Sequence, residues 1–169
     1  MAKKVIWIVA FILAAALLQS TIFSRLSLYI HAVPDLALCI LVFAAYVNGT
    51  MAGQLSGFFS GFMLDFLSAA PLGLNALIRT LIGALVGFMK GTFFLDIVFL
   101  PMALCAGATI LKAVMYLVLN LLFAGKVPVY SFFGLTFWVE LAMNTVFAPF
   151  LFAFLKLFGS LLVGKKETI

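Results

Sequence analysis

Apolar residues occupy this chain in long unbroken runs, and polar residues gather at the breaks between them. A helix needs about 20 apolar residues to cross a bilayer, and lipid offers no partner for unpaired backbone groups, so the admissible spanning structures are a helix bundle or a closed barrel. Barrel strands would alternate polar with apolar residues, and these runs do not. The pattern predicts six helical spans: Val5 to Phe23, Pro34 to Val47, Met51 to Leu67, Gly73 to Met89, Pro101 to Phe123 and Phe132 to Phe158. Asn48-Gly49-Thr50, between the second and third, is a turn signal without a charge, so a five-span bundle stays open. Pro34 and Asp35 read as a first helical turn, where proline's missing donor does no harm and a carboxylate meets the positive end of the dipole.

Composition points the same way. Of the 169 residues, 67% are hydrophobic and 9% charged, with a mean hydropathy of +1.34, whereas a soluble domain is roughly 25% charged. The chain reads as a single all-α integral membrane domain over residues 1–169. Lysine and arginine collect on the cytoplasmic side of membrane proteins. With the N-terminus inside, six spans place Lys3, Lys4, Lys90, Lys156, Lys165 and Lys166 at the inner face and Arg25 and Lys126 outside. Both termini are therefore expected in the cytoplasm of a bacterial inner membrane protein. The net charge of +5 and the pI near 9.4 belong to this rim and to contact with anionic lipid, not to a nucleic-acid surface.

Little in the sequence suggests catalysis. Lys3-Lys4 ahead of an apolar run has the look of a secretion signal, but Leu18-Gln19-Ser20-Thr21 is a poor cleavage site and the run is long enough to span, so a retained first helix is expected. Cys39 and Cys105 lack pairing or metal-ligand spacing and read as small core residues. His31, the single histidine, falls in an outer loop with no nucleophile motif nearby. Neither a phosphate-cradling loop nor a cluster of ligands is present, so no catalytic residue, cofactor or metal is expected. An aspartyl dyad needs two carboxylates in one site. Asp96 falls inside and Asp65 outside, which leaves only Asp35 and Asp65 able to meet.

Small residues follow a rule of their own. Gly53, Gly57, Gly61 and Asp65 recur every four positions, and so do Arg79, Gly83, Gly87 and Gly91. Residues four apart on a helix lie nearly above one another, drifting by about 40° per step, so each set forms an oblique groove with a charge at one end. Ser56 and Ser60 widen the first groove. Small residues let backbones approach closely where lipid removes the hydrophobic drive between helices. The ladders suit packing within the bundle, with an external partner helix as the second reading.

Because the two helices run antiparallel, both charged ends reach the outer side. Asp65 lies about two residues from the end of its span and Arg79 about six from the start of its own, an offset of roughly 6 Å that an arginine can bridge. The expected pair is Asp65 with Arg79, since an unpaired charge in hydrocarbon costs about 3 kcal/mol or more. Similar counting puts Lys112 about 16 Å and Glu140 about 12 Å below the outer surface, at comparable depth. Asn144, one turn below Glu140, can join them, and Pro149 predicts a kink beneath. For these polar residues, structural pairing competes with a ligand pocket or a proton path.

Val33-Pro34-Asp35-Leu36, followed by Gly57-Phe58, Gly61-Phe62, Leu64-Asp65 and Pro71-Leu72-Gly73, resembles the core signature of the rod shape-determining MreD family. Asn144-Thr145-Val146-Phe147-Ala148-Pro149 resembles that family's last helix. The similarity covers nearly the whole chain and is most specific over residues 33–91. The glycine ladder of the fourth helix is more pronounced than in some relatives, and the resemblance assigns no role to Lys112 or Glu140. The resemblance implies a non-enzymatic inner-membrane component of the bacterial elongation machinery. It also implies association with the bitopic protein MreC, and through it with MreB, RodA and the penicillin-binding protein synthases of peptidoglycan. The partner-binding face expected from the residues is the glycine-lined region around Gly53, Gly57 and Gly61. The alternative is a small-molecule binder, because six compact helices with Asn75, Arg79, Lys112, Glu140 and Asn144 in the outer half are similar to the substrate-binding subunits of vitamin transporters.

Overall fold

The computed structural model describes residues 2–19, 21, 33–67, 71–91, 98–123 and 134–162. Among these the chain is wholly helical: α1 (Ala2–Leu18), α2 (Leu36–Asn48), α3 (Thr50–Leu67), α4 (Leu74–Phe88), α5 (Phe99–Leu122), α6 (Leu135–Leu157) and the single turn α7 (Gly159–Leu162). Phe23, Arg25, His31, Asp96, Lys126, Phe132, Lys165 and Lys166, to which the sequence assigned span ends, loops and rim charges, lie outside the described residues.

Two helices, α5 and α6, are long and apolar enough to cross a membrane, with 24 and 23 residues and apolar stretches of mean hydropathy 2.0 and 1.6. Their outward faces carry exposed Ile110, Leu117, Leu121, Trp138, Phe150 and Leu157. A soluble monomer rarely exposes so much contiguous apolar surface. The same holds for α3, where Phe58, Phe59, Phe62 and Phe66 stand outward with their rings in mutual contact.

At the centre lies α2. Ten of its 13 residues are buried, so it is apolar on every side because protein surrounds it on every side. It packs against α1, α3, α4, α5 and α6. Phe43 meets Phe152 of α6 edge to face, and Leu38, Leu41 and Ile8 belong to the same buried apolar cluster. At about 20 Å, α2 is much shorter than α5 at about 36 Å.

The passage from α2 into α3 takes one residue. Gly49 has φ 91° and ψ −177°, a region that essentially only glycine adopts. Its N–H closes α2 on the Ala45 carbonyl at 2.8 Å, and the next residue already opens α3. Here the Asn48-Gly49-Thr50 turn signal and the observed boundary coincide. Asn48 also donates to the carbonyl of Leu162 at 2.9 Å, which ties α7 to the base of α2. Gly49→Ala is expected to destabilise the protein by about 1–3 kcal/mol through backbone strain, read as a lowered melting temperature of the purified chain.

The most extensive contact in the bundle is between α3 and α4. Gly53 faces Gly83, Gly57 faces Arg79 and Thr80, Gly61 faces Asn75 and Ala76, and Gly87 faces Thr50. This descending order shows two antiparallel helices in backbone contact along most of their length. A Cβ placed on Gly61 would come within 2.5 Å of the Asn75 carbonyl oxygen, and one on Gly87 within 2.5 Å of the Thr50 Cα. The second ladder stops at Gly87. Gly91 lies beyond the end of α4 at φ 71°, with nothing within 4 Å of a Cβ, so its place in the period-four series has no packing counterpart. Ser56 and Ser60 turn their hydroxyls back onto their own helix, at the Ala52 and Gly57 carbonyls, and thereby bury no unpaired group against α4.

The glycine ladder is thus consumed inside the bundle. An external helix expected on Gly53, Gly57 and Gly61 would find that face already filled by the α4 backbone.

Candidate functional site

The polar residues converge where the N-terminal end of α2 is enclosed by its neighbours. Asp35 caps α2, with its Oδ1 accepting from the Leu38 N–H at 2.9 Å, and satisfies one of the amides that open a helix. The same carboxylate holds two cations. Arg79 Nη2, from the second turn of α4, donates to Oδ1 at 3.0 Å and Oδ2 at 3.2 Å. Lys112 Nζ, from the middle of α5, donates to Oδ2 at 2.8 Å and to Glu140 Oε1 of α6 at 2.7 Å.

Asn144 adds a neutral strand to this network. Its Oδ1 accepts from the Asp35 backbone N–H at 2.8 Å, and its Nδ2 donates to Thr109 Oγ1 at 3.0 Å. Thr109 in turn donates to the Cys105 carbonyl at 2.8 Å. Four helices are therefore joined through polar atoms of which Asn144 and Thr109 are wholly buried. Cys39 and Cys105 are both free and buried in the core.

Asp65 has a different occupation from the one expected of it. Its oxygens accept from the backbone N–H groups of Gly73, Asn75 and Ala76 at 2.9, 2.9 and 3.2 Å, and from Asn75 Nδ2 at 3.0 Å. Gly73, the residue that opens α4, has no side chain to cap it. Asp65 supplies that cap from the end of α3, because its place at the end of the ladder leaves it facing the start of α4. The expected pair of Asp65 with Arg79 is accordingly replaced by Asp35 with Arg79. Backbone atoms of Arg79, not its side chain, abut Gly57, which turns the guanidinium toward α2.

Three carboxylates (Asp35, Asp65, Glu140) and two cations (Arg79, Lys112) leave the cluster with one formal negative charge. Asp65 has no ion pair among the described residues, and the N-terminal end of α4, worth about half a positive charge, offsets it. Pairing Asp65 with Arg79 and setting Lys112 level with Glu140 leaves out Asp35, the residue on which both cations meet. Among the described residues Asp35 and Asp65 share no donor, which is not the geometry of a dyad holding one proton between two carboxylates.

Asp65→Ala is expected to cost about 0.5–2 kcal/mol, the value of a helix cap, and to leave Arg79 as protected from phenylglyoxal as in the native chain. Thermal unfolding and mass-spectrometric mapping of the modified arginine check both halves.

An apolar exterior wrapped around a buried, charged, hydrogen-bonded centre inverts the plan of a soluble domain and defines the class: a helical bundle consistent with residence in a lipid bilayer. The chain belongs to the MreD family, whose model, described as rod shape-determining protein MreD, matches residues 1–158. Neither the curated proteins nor the solved structures contain a match to it. The family carries a role in rod shape determination.

Proposed function

We propose that this protein is a non-enzymatic, multi-pass scaffold of the bacterial inner membrane, crossing six times with both termini in the cytoplasm. In this reading it binds an MreC-like bitopic protein and, through that partner, helps organise MreB filaments, RodA and a penicillin-binding protein for peptidoglycan synthesis. Membership of a family described by rod shape determination is the observation that carries it. The bundle adds support: among the described residues the buried charged side chains are used to join the bundle's own helices, which leaves apolar helix faces for a partner. Since the glycine ladder is filled from within, the grip falls on exterior faces.

Depletion in the native bacterium combined with affinity recovery from detergent extract tests the proposal. Rounded cells and co-recovery of a bitopic partner with a periplasmic domain are expected. Cells that keep their rod shape on full depletion, or a bundle recovered alone from cells containing that partner, would overturn it.

A further inference from the structure

A cavity of about 400 Å³ opens beside the charged cluster, where the end of α1, the start of α2, the end of α3 and the start of α4 meet. That volume lies in the range of roughly 300–1,000 Å³ typical of small-molecule sites. Leu17, Leu64 and Leu67 supply much of its apolar wall, and Gln19, Asn75 and Arg79 its polar side, with Asp35 at the edge.

Two polar atoms at this cavity are buried and have no partner among the described residues: Nη1 of Arg79 and Oε1 of Gln19. Arg79 is only 7% exposed, and its other terminal nitrogen is committed to Asp35. Buried donors and acceptors are almost always paired, so a donor and an acceptor left over at one cavity describe the complement of what belongs there. That complement accepts from Nη1 and donates to Oε1.

Charge narrows the choice. The cluster already holds three carboxylates against two cations, so a carboxylate or phosphate would add like charge beside Asp35 in a site of low dielectric. A neutral group satisfies both leftover atoms without that repulsion. We propose that the cavity binds a neutral amide-type ligand carried on an apolar body, its carbonyl oxygen accepting from Arg79 Nη1 and its N–H donating to Gln19 Oε1. This site is independent of partner binding: a failure here leaves the shape and recovery experiment standing, and the reverse also holds.

The probe is decanamide bearing a terminal diazirine, applied to the full chain in phosphatidylcholine nanodiscs. Saturable labelling of peptides containing Leu17, Leu64 or Leu67 is expected, displaced by unlabelled decanamide at concentrations at least tenfold below those needed for decanoate. Gln19→Leu and Arg79→Lys should each weaken apparent affinity roughly 10- to 100-fold, the worth of one hydrogen bond to a charged or desolvated group. Arg79→Lys keeps the charge for Asp35 but lacks Nη1. Gln19→Leu leaves the charged network untouched and still reads out if the arginine variant fails to assemble. Equal displacement by decanoate, labelling confined to the lipid-facing groove of Val9, Leu13 and Phe59, or unchanged affinity in the folded variants would each overturn the proposal.

Discussion

Gly57→Ala is expected to lower the stability of the bundle by about 1–3 kcal/mol, the range of an overpacked core, and Gly57→Leu to abolish recovery of folded protein. The reason is that the obstructing atoms are backbone. A Cβ on Gly57 would overlap the Arg79 carbonyl oxygen and stand 2.8 Å from its carbonyl carbon. No rotamer change relieves such a contact; α3 and α4 must move apart. Separation would also pull the start of α4 away from Asp65, so two interactions fail together. Gly107→Ala on α5 is the control, since nothing lies within 4 Å of a Cβ there. It should be neutral or stabilising by up to about 1 kcal/mol through helix propensity. Melting temperatures and size-exclusion profiles of the detergent-solubilised chains decide the matter, and equal behaviour of the two alanine variants would contradict the close contact.

Asp35→Ala is the second large effect, expected at about 3–5 kcal/mol, the cost of removing one partner from a buried ion pair. If Asp35 only capped α2, the loss would stay near 1 kcal/mol. The larger value follows from stranding Arg79, whose one ion pair among the described residues is with Asp35. Lys112 keeps Glu140 at 2.7 Å and suffers less. Removing the stranded cation should recover part of the loss, so Asp35→Ala combined with Arg79→Met is expected to be more stable than the sum of the single changes predicts. Additive single and double changes would show that the two groups are not coupled.

The helices of the described residues were legible in the sequence because lipid demands long apolar runs, and the Asn48-Gly49-Thr50 break falls where α2 gives way to α3. The ladder of Gly53, Gly57 and Gly61 was legible too, since glycine every four residues makes sense on a helix only where another backbone comes close. Depth counting placed Lys112 level with Glu140, and the two meet. The same counting failed for Asp65 because it gives height along a helix and not direction around it. Asp65 points at the amides that open α4, and Arg79 points away from α3. Asp35 was underread for a related reason: a carboxylate at a helix start already has a sufficient local explanation, which hides a second use by groups 44 and 77 positions away. The central place of α2 was not legible at all. A helix surrounded by protein and one surrounded by lipid are apolar to the same degree, so the contrast that marks a core helix in water is missing here.

The seam between α3 and α4 also constrains how the protein can move. Side chains normally act as a compliant layer between helices, which lets them slide or rock by small rotamer adjustments. Where carbonyls and Cα atoms touch directly, that compliance is gone. The pair behaves as a stiff plate, and any rearrangement transmitted through the bundle must swing it as one lever.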